Sequence, residues 1–419
     1  MNPDFRSLWR LLIAQAQGVF NDNAAKLALI GLAPLVLTAT EAGWVTDLLA
    51  VLLVLPFVLF SPICGWLADR HPKRHVIRFA LWLQVALTLL MTLALWQRLI
   101  WCAIALFFLL AVQTCLLSPA KQGALKEMVG SAHLTHAVSW LESLTITGIL
   151  LGGLAGGGLF RWLDSLFNNP WRGAAACFLT LTAGCALTVM VFGNVKTAGA
   201  QSRDPFTLSL FWNHFRDLAY LWPLRELLLP ALGIAYFYSL GGLLYLVIVS
   251  VGRELHPNSS EAVLVSGEYL AIMGGGIILG ALLVIRLAKH WSAIRLVPLG
   301  GLGMTASLLA LALLYPAGGL YISALLMLGV CSSLFIVPLN THLQDHAAED
   351  RRSRVIAAAN LLLNIGGILA VAFHALLENI FRLHLRAQFL IMFAIMLTVS
   401  VAAWRIIARV TSGQHPRVA

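Results

Sequence analysis

Long apolar runs, separated by short polar connections, dominate the pattern along this chain. A helix needs about 20 apolar residues to cross the hydrocarbon core of a bilayer, so each run predicts one membrane-spanning helix. We therefore expect an all-α integral membrane protein with twelve transmembrane helices. They are numbered here as spans 1 to 12, at residues 8–37, 44–67, 76–96, 99–120, 137–160, 172–193, 227–251, 262–287, 293–314, 319–340, 355–377 and 386–409.

Composition supports this prediction and excludes other classes of protein. Of the 419 residues, 60% are hydrophobic and 11% charged, whereas soluble domains have about 45–50% apolar and about 25% charged residues. The net charge of +10 does not indicate a nucleic-acid partner, because the cations lie in connections between apolar runs. We see no nucleophile–base pair and no spacing typical of a metal or cofactor site. The sequence therefore predicts neither an enzyme nor a cofactor.

The distribution of Lys and Arg predicts the orientation. Most of them lie near the termini and in the connections that follow even-numbered spans. Short cytoplasmic connections carry such an excess, so both termini are expected in the cytoplasm. The first apolar run is too long for a signal peptide and has polar residues in its middle, so no cleavable signal is expected.

The longest polar connection, 194–226, divides the chain into an N-terminal half (1–193) and a C-terminal half (227–419). Within this connection, apolar residues from Phe206 to Leu221 recur at helical spacing, which predicts a helix in the cytoplasmic interface. The halves also resemble each other. Ser118-Pro119-Ala120-Lys121-Gln122 corresponds to Val337-Pro338-Leu339-Asn340-Thr341, and Glu142 corresponds to Asn360. Two pseudo-symmetric six-helix halves are typical of transporters whose substrate site lies between them near the bilayer midplane.

Span 1 contains the most polar intramembrane segment, with Asn21, Asp22, Asn23 and Lys26 within six residues. Ionisable residues inside a membrane are costly, which makes each one a functional candidate. Asp22 and Lys26 are four residues apart and share a helix face, where they can neutralise each other. A structural ion pair is one interpretation. We favour the other, a headgroup or ion site facing a central cavity.

Further candidates lie in spans 4, 5, 8 and 11. Lys121 follows an apolar run directly, and it could contact a phosphate or extend to the membrane surface. Glu142 in span 5 could pair with Lys121 as a gate, a substrate contact or a structural link. Glu268 and Asn360 are secondary candidates. Isolated Gln84 and Gln113 are expected to make interhelical hydrogen bonds.

Gly65, Asp69, Arg70 and Arg74 lie in the short connection between spans 2 and 3. This segment resembles the G-x-L-A-D-R-x-G-R-K signature between helices 2 and 3 of major facilitator superfamily transporters. Here Pro72 replaces the second glycine. The motif could gate the transporter or only orient it.

The whole chain resembles bacterial lysophospholipid transporters of that superfamily. The resemblance is carried by Phe20-Asn21-Asp22-Asn23, the Asp69–Arg74 segment, Ser118-Pro119-Ala120-Lys121-Gln122-Gly123, Leu141-Glu142, the glycines of 152–158, and Val337-Pro338-Leu339-Asn340. It implies movement of lysophosphatidylethanolamine-type lipids from the outer to the inner leaflet of the bacterial inner membrane. It also implies alternating access without an ion gradient, and a cytoplasmic 2-acylglycerophosphoethanolamine acyltransferase as a partner. We expect a monomer whose partners are its lysophospholipid substrate and membrane lipids.

The resemblance also suggests roles for residues. Asp22 would bind the ammonium group, and Lys121 would serve the phosphate or a charge network with Glu142. Tyr245 stands where related proteins carry a cation in helix 7, so phosphate recognition here could use Lys26 instead. Opposite charges on one face of span 1, among almost wholly apolar helices, fit a zwitterionic head with one acyl chain.

Two alternatives remain open at this point. The first is a proton-coupled drug or metabolite exporter, with Asp22 or Glu142 as the proton carrier. The second is a non-transporting scaffold that anchors an acyltransferase.

Overall fold

The computed structural model describes residues 3–193, 195, 197, 199, 214–255, 259–314, 316 and 318–411, and within them it contains helices and no strand. Two short turns interrupt the α-helical pattern, a 3-10 turn at Ala293–Arg295 and a π-helical turn at Leu376–Ile380. The α-helices are α1 (Phe5–Val36), α2 (Ala39–Arg70), α3 (Lys73–Trp96), α4 (Ile100–Phe167), α5 (Pro170–Phe192), α6 (His214–Leu221), α7 (Arg225–Leu255), α8 (Ser259–Leu287), α9 (Leu296–Leu313), α10 (Gly319–His346), α11 (Arg352–Ala375) and α12 (Leu385–Thr411).

Eleven of the described helices are long and apolar enough to cross a membrane. One of them, α4, has 68 residues. At 1.5 Å per residue it is about 100 Å long, against a hydrocarbon core of about 30 Å. It therefore corresponds to two of the predicted passes, spans 4 and 5, and the predicted all-α membrane fold is confirmed.

A break at Gly130 divides α4 into two segments, which we call α4a (100–129) and α4b (131–167). Gly130 has φ 68° and ψ 175°, outside the helical region. A side chain there would have open space, with no atom within 4 Å of an added Cβ. Glycine is therefore favoured at position 130 because of the positive φ, which residues with a Cβ rarely adopt.

Side-chain caps define several helix starts. The carboxylate of Asp4 accepts a hydrogen bond from the Ser7 backbone N–H and begins α1. Thr38 and Glu41 form a reciprocal capping box at the start of α2. Asn169 caps α5, whose first residue is Pro170. Each cap satisfies N–H groups that the first helical turn leaves without partners.

Packing groups the chain into two units. The first comprises residues 1–133, 144–225 and 346–361, and the second comprises 134–143, 226–345 and 362–419. The predicted pseudo-symmetric halves, divided by the connection 194–226, stay a prediction. In the first unit an apolar core joins α1, α2, α3, α4 and α5.

Glycines bring α4b against α1 within the first unit. A Cβ added at Gly148, Gly152 or Gly156 would overlap backbone atoms of Ala16, Phe20 or Ala24. Small residues allow helix backbones to approach closely in membranes. This contact fixes the rotation of α1, and with it the directions of the polar residues on that helix.

Two predicted boundaries were wrong. Gly65, Asp69 and Arg70 belong to the last turns of α2 rather than to a connection, because the helix continues through them to a short turn at His71 and Pro72. Spans 4 and 5 are also longer than predicted, so Lys121, just beyond the predicted end of span 4, lies inside α4, as does Glu142 of span 5. A helix, α6, is present in this connection, while the first part of the predicted helix, 206–213, lies outside the described residues, and its place in the cytoplasmic interface stays a prediction.

Candidate functional site

Asp22 is the central acidic group of the candidate site. Its Oδ2 accepts a hydrogen bond of 2.8 Å from the Thr114 hydroxyl of α4a. Its Oδ1 is buried and has no hydrogen-bond partner among the described residues. The carboxylate is thus held by one oxygen, and the other is available to a donor.

Two lysines supply positive charge near this carboxylate. Lys26, one turn further along α1, and Lys121 of α4a both lie close enough to Asp22 to attract it. The predicted pairing along one face of α1 is therefore electrostatic, while the hydrogen bond of Asp22 goes to Thr114. Opposite charges are brought together within helices that are otherwise largely apolar.

Lys121 is buried and points towards α1. Its Nζ donates to Gln15 Oε1 at 2.5 Å, and Gln15 Nε2 in turn donates to Thr145 Oγ1 of α4b at 2.9 Å. Of the two alternatives for Lys121, extension to the membrane surface is wrong, since its side chain is only 9% exposed. Contact with a phosphate, and the predicted pairing with Glu142, stay predictions.

Asn21 and Asn23 flank Asp22 but have different surroundings. Asn23 Nδ2 donates to the backbone oxygen of Val19 in its own helix. Asn21 is completely buried, and neither of its amide atoms has a hydrogen-bond partner among the described residues. Asn21 is therefore the neighbour of Asp22 whose hydrogen-bonding capacity is unused.

Asn21 is one of four buried or partly buried amides that we call the amide cluster: Gln17, Asn21, Gln84 and Gln113. Gln17 of α1 contacts Cys185 of α5, and Gln84 of α3 lies beside Gly18 of α1. Gln113 Oε1 accepts from the same Thr114 hydroxyl that bonds Asp22, at 3.4 Å. The cluster therefore lies on α1, α3 and α4a near Asp22, and its member Gln17 contacts α5.

The prediction that interhelical hydrogen bonds satisfy Gln84 and Gln113 was wrong. Gln84 Oε1 and Gln113 Nε2 are both buried without a partner in the described part of the chain. The bond that Gln113 accepts comes from its own helix. The sequence showed these two residues as isolated amides, because nothing in it places them near the polar face of α1.

A second polar group surrounds Asp69 at the end of α2. Asp69 Oδ1 and Oδ2 accept from the backbone N–H groups of Ser353 and Arg354, each at 3.0 Å. These N–H groups belong to the first turn of α11, where a negative charge is favourable. Gly65 allows this approach, since an added Cβ would lie 2.8 Å from the Cβ of Ala357.

The cations beside Asp69 have separate roles. Lys73 is 1% exposed and forms a 2.5 Å ion pair with Glu127 of α4a. Arg70 lies over the ring of Trp66, and Arg74 is exposed. The buried lysine was missed in the sequence, where it could not be told from its exposed neighbours.

The remaining candidates occupy other positions. Glu142 Oε1 accepts from Asn340 Nδ2 at 3.1 Å in the second unit, and Asn360 Nδ2 donates to Ser118 Oγ at 2.9 Å in the first. Glu268 and Tyr245 are exposed on α8 and α7. In the described residues no group of three His, Cys, Asp or Glu side chains is placed to hold a metal ion.

Comparison with known proteins decides the family. The model of the major facilitator superfamily matches residues 11–371. The chain belongs to the major facilitator superfamily. It is a multi-pass membrane protein of a transporter family, which agrees with its helices and with the predicted resemblance.

Among curated relatives, the chain is similar to bacterial proteins named lysophospholipid transporter LplT. It is 29% identical to one from Klebsiella pneumoniae over 280 residues, which cover 65% of this chain and 66% of that protein. It is 26% identical to one from Salmonella arizonae over 378 residues, 88% of both chains. The Klebsiella alignment thus spans slightly less than two thirds of its relative.

Solved structures confirm the fold alone. The fucose transporter FucP in the outward conformation superposes with a TM-score of 0.72 at 14% identity, covering 94% of this chain and 97% of that one. The human organic anion transporter MFSD10 gives a TM-score of 0.77 at 14% identity, covering 96% and 100%. These identities are too low to transfer a substrate.

Proposed function

We propose that this protein is a lysophospholipid transporter. It moves lysophosphatidylethanolamine-type lipids from the outer to the inner leaflet of the bacterial inner membrane by alternating access. Both termini are cytoplasmic, and an acyltransferase on that side re-acylates the lipid. The relatives named as lysophospholipid transporters support this substrate class.

The observation that carries the proposal is the free oxygen of Asp22 beside two lysines. A zwitterionic headgroup has an ammonium that donates hydrogen bonds and a phosphate that accepts them. Asp22 Oδ1 binds the ammonium, and Lys26 and Lys121 provide the positive charge for the phosphate. Buried charges must be paired and hydrogen-bonded, and a headgroup of both signs meets this requirement.

The acyl chain needs an apolar path of its own. Residues around the site on α1 and α4 are mainly Leu, Ala, Val and Ile. An acyl chain gains about 0.8 kcal/mol for each CH2 group kept away from water. The lipid therefore crosses with its head at Asp22 and its chain among these helices or in the bilayer.

A proton-coupled exporter is the second candidate, because a half-satisfied buried carboxylate is also what a proton carrier requires. One experiment separates the two. Labelled lysophosphatidylethanolamine is offered to spheroplasts that lack their own transporter and express this protein, with and without an uncoupler. Uptake that survives the uncoupler supports the lipid transporter. Uptake that collapses supports proton coupling, and absence of uptake with the protein present in the membrane refutes the lipid substrate.

A further inference from the structure

The amide cluster behind Asp22 has more hydrogen-bonding capacity than the protein uses. Gln17 Oε1, Asn21 Oδ1, Gln84 Oε1 and Asp22 Oδ1 are buried acceptors without a partner in the described chain. Asn21 Nδ2 and Gln113 Nε2 are buried donors that also have no partner in the described chain. Most buried polar side-chain atoms in proteins have a partner, so six such atoms in one place require an explanation.

The six atoms belong to one continuous region. Gln17 and Asn21 are four residues apart and lie on one face of α1. Cys185 of α5 contacts Gln17 and lies near Asp22 and Thr88, and Thr88 is one turn from Gln84 on α3. Thr114 links Gln113 to Asp22. The six unused atoms thus belong to three helices, α1, α3 and α4a, and contacts through Thr114 and Cys185 connect them.

The mixture of donors and acceptors determines which ligand fits. A metal ion or an ammonium group has no lone pair and leaves both amide donors unsatisfied. A phosphate has no proton to give the four acceptors and is repelled by the Asp22 carboxylate. A hydroxyl group donates one hydrogen bond, accepts two, and carries no charge.

We infer that the amide cluster binds the free glycerol hydroxyl of the lipid substrate. This inference rests on the proposed function and identifies what distinguishes the substrate. A lysophospholipid differs from a diacyl phospholipid by this hydroxyl and by the missing second chain. The headgroup ammonium binds at Asp22, which is partly exposed, and the hydroxyl binds deeper, at Asn21, Gln84 and Gln113, which are at most 1% exposed.

In this conformation the six atoms are closed to solvent. The hydroxyl therefore enters when α1 separates from α3 and α4a during the transport cycle. Two glycines, which have no side chain, face the cluster. Gly18 of α1 lies opposite Gln84, and Gly184 of α5 lies opposite Gln17. The cost of the unsatisfied amides disfavours the closed form, and a bound hydroxyl, which accepts from both amide donors and donates to one acceptor, removes part of that cost.

The test compares two labelled lipids with the same ethanolamine head and acyl chain. One is the 2-acyl lipid with its free hydroxyl at the first glycerol carbon, and the other carries a methyl ether there. A site built to hydrogen-bond a hydroxyl rejects an analogue that cannot donate, so wild-type uptake of the free-hydroxyl lipid should be at least about tenfold faster. Equal uptake would show that the cluster holds only water and would overturn the inference.

Substitutions within the amide cluster test whether it causes the preference for the lipid with the free hydroxyl. Asn21→Leu and Gln84→Met remove unpartnered polar atoms at similar volume, so they should fold as stably as the wild type. In both variants, the free-hydroxyl lipid should be taken up about as fast as the methyl ether. Gln388→Met is the matched control, since Gln388 is a buried amide of α12 that also has an unpartnered oxygen. Its preference should equal that of the wild type.

The outcomes separate this inference from the proposed function. If wild-type protein takes up neither lipid, the proposed function fails. If it takes up the free-hydroxyl lipid selectively but Asn21→Leu and Gln84→Met keep the full preference, only the role of the amides fails. A marked loss of thermal stability in both variants would also overturn the role of the amides in recognition. It would show that the amides stabilise the packing of the helices.

Discussion

Two aspartates of the first unit, Asp69 and Asp22, differ in how completely the protein satisfies their hydrogen-bonding capacity. Both oxygens of Asp69 accept backbone N–H groups at the start of α11. One oxygen of Asp22 accepts a hydroxyl, and the other has no partner in the described residues. A fully satisfied carboxylate stabilises the fold, whereas a half-satisfied one retains capacity for a ligand.

Their surroundings differ in the same way. Next to Asp69, Lys73 and Glu127 form a close ion pair. Next to Asp22, the amide cluster leaves donors and acceptors unused. We therefore expect substitutions around Asp69 to lower stability, and substitutions around Asp22 to lower transport at nearly unchanged stability.

The largest effect on stability is expected from Lys73→Met. It removes the cation 2.5 Å from the buried Glu127 carboxylate, and breaking a buried ion pair typically costs about 3–5 kcal/mol. Thermal unfolding of the purified protein in lipid nanodiscs measures the loss. The double variant with Glu127→Met should recover most of it, because the uncompensated charge is then gone, and a double variant as unstable as Lys73→Met would contradict this account.

Asp69→Asn should have the next largest effect. The amide keeps one acceptor but turns its N–H2 group towards an N–H donor of α11 and removes the charge from the helix start. Hydrogen bonds to charged groups contribute about 1.5–3 kcal/mol, so we expect destabilisation of that order in the same unfolding measurement. Asp69→Ala should be at least as unstable, and wild-type stability in both would show that Asp69 does not hold α11.

The smallest effect is expected from Thr114→Val, which removes the hydroxyl that holds Asp22 Oδ2. Interhelical hydrogen bonds in membranes contribute about 1 kcal/mol. Stability should fall by no more than this, and uptake of lysophosphatidylethanolamine should fall severalfold because the carboxylate loses its orientation. Thr114→Ser, which keeps the hydroxyl, is the control and should retain uptake, so equal losses in both variants would contradict the role of this bond.

The sequence predicted the fold because apolar runs of membrane length need no tertiary information. It also drew attention to Asp22 and Lys26, since charges within an apolar run are conspicuous, and their role in binding stays a prediction. It did not reveal Thr114, Gln15 or the amide cluster. Uncharged polar residues are common in membrane helices, and only packing shows that they meet at one point.

Two buried lysines, Lys121 and Lys73, show another limit of the sequence. In the sequence, Lys121 was equally suited to a phosphate or to the membrane surface, and its burial and its contact with Gln15 decide against the surface. Lys73 resembled the exposed cations around it, and only its ion pair with Glu127 shows that it is buried. The hydropathy pattern shows whether a lysine lies next to an apolar run, but not the direction in which its side chain points.

The most direct test of the central claim is to measure stability and lysophosphatidylethanolamine uptake in Asp22→Asn. The amide is close in shape and retains an oxygen for Thr114, so unfolding in nanodiscs should change by less than about 1 kcal/mol. Uptake per folded molecule should fall at least about tenfold, because the ammonium group loses its counter-charge. Unchanged uptake, or a loss of uptake that follows a loss of folded protein, would contradict the assignment of Asp22 to the substrate.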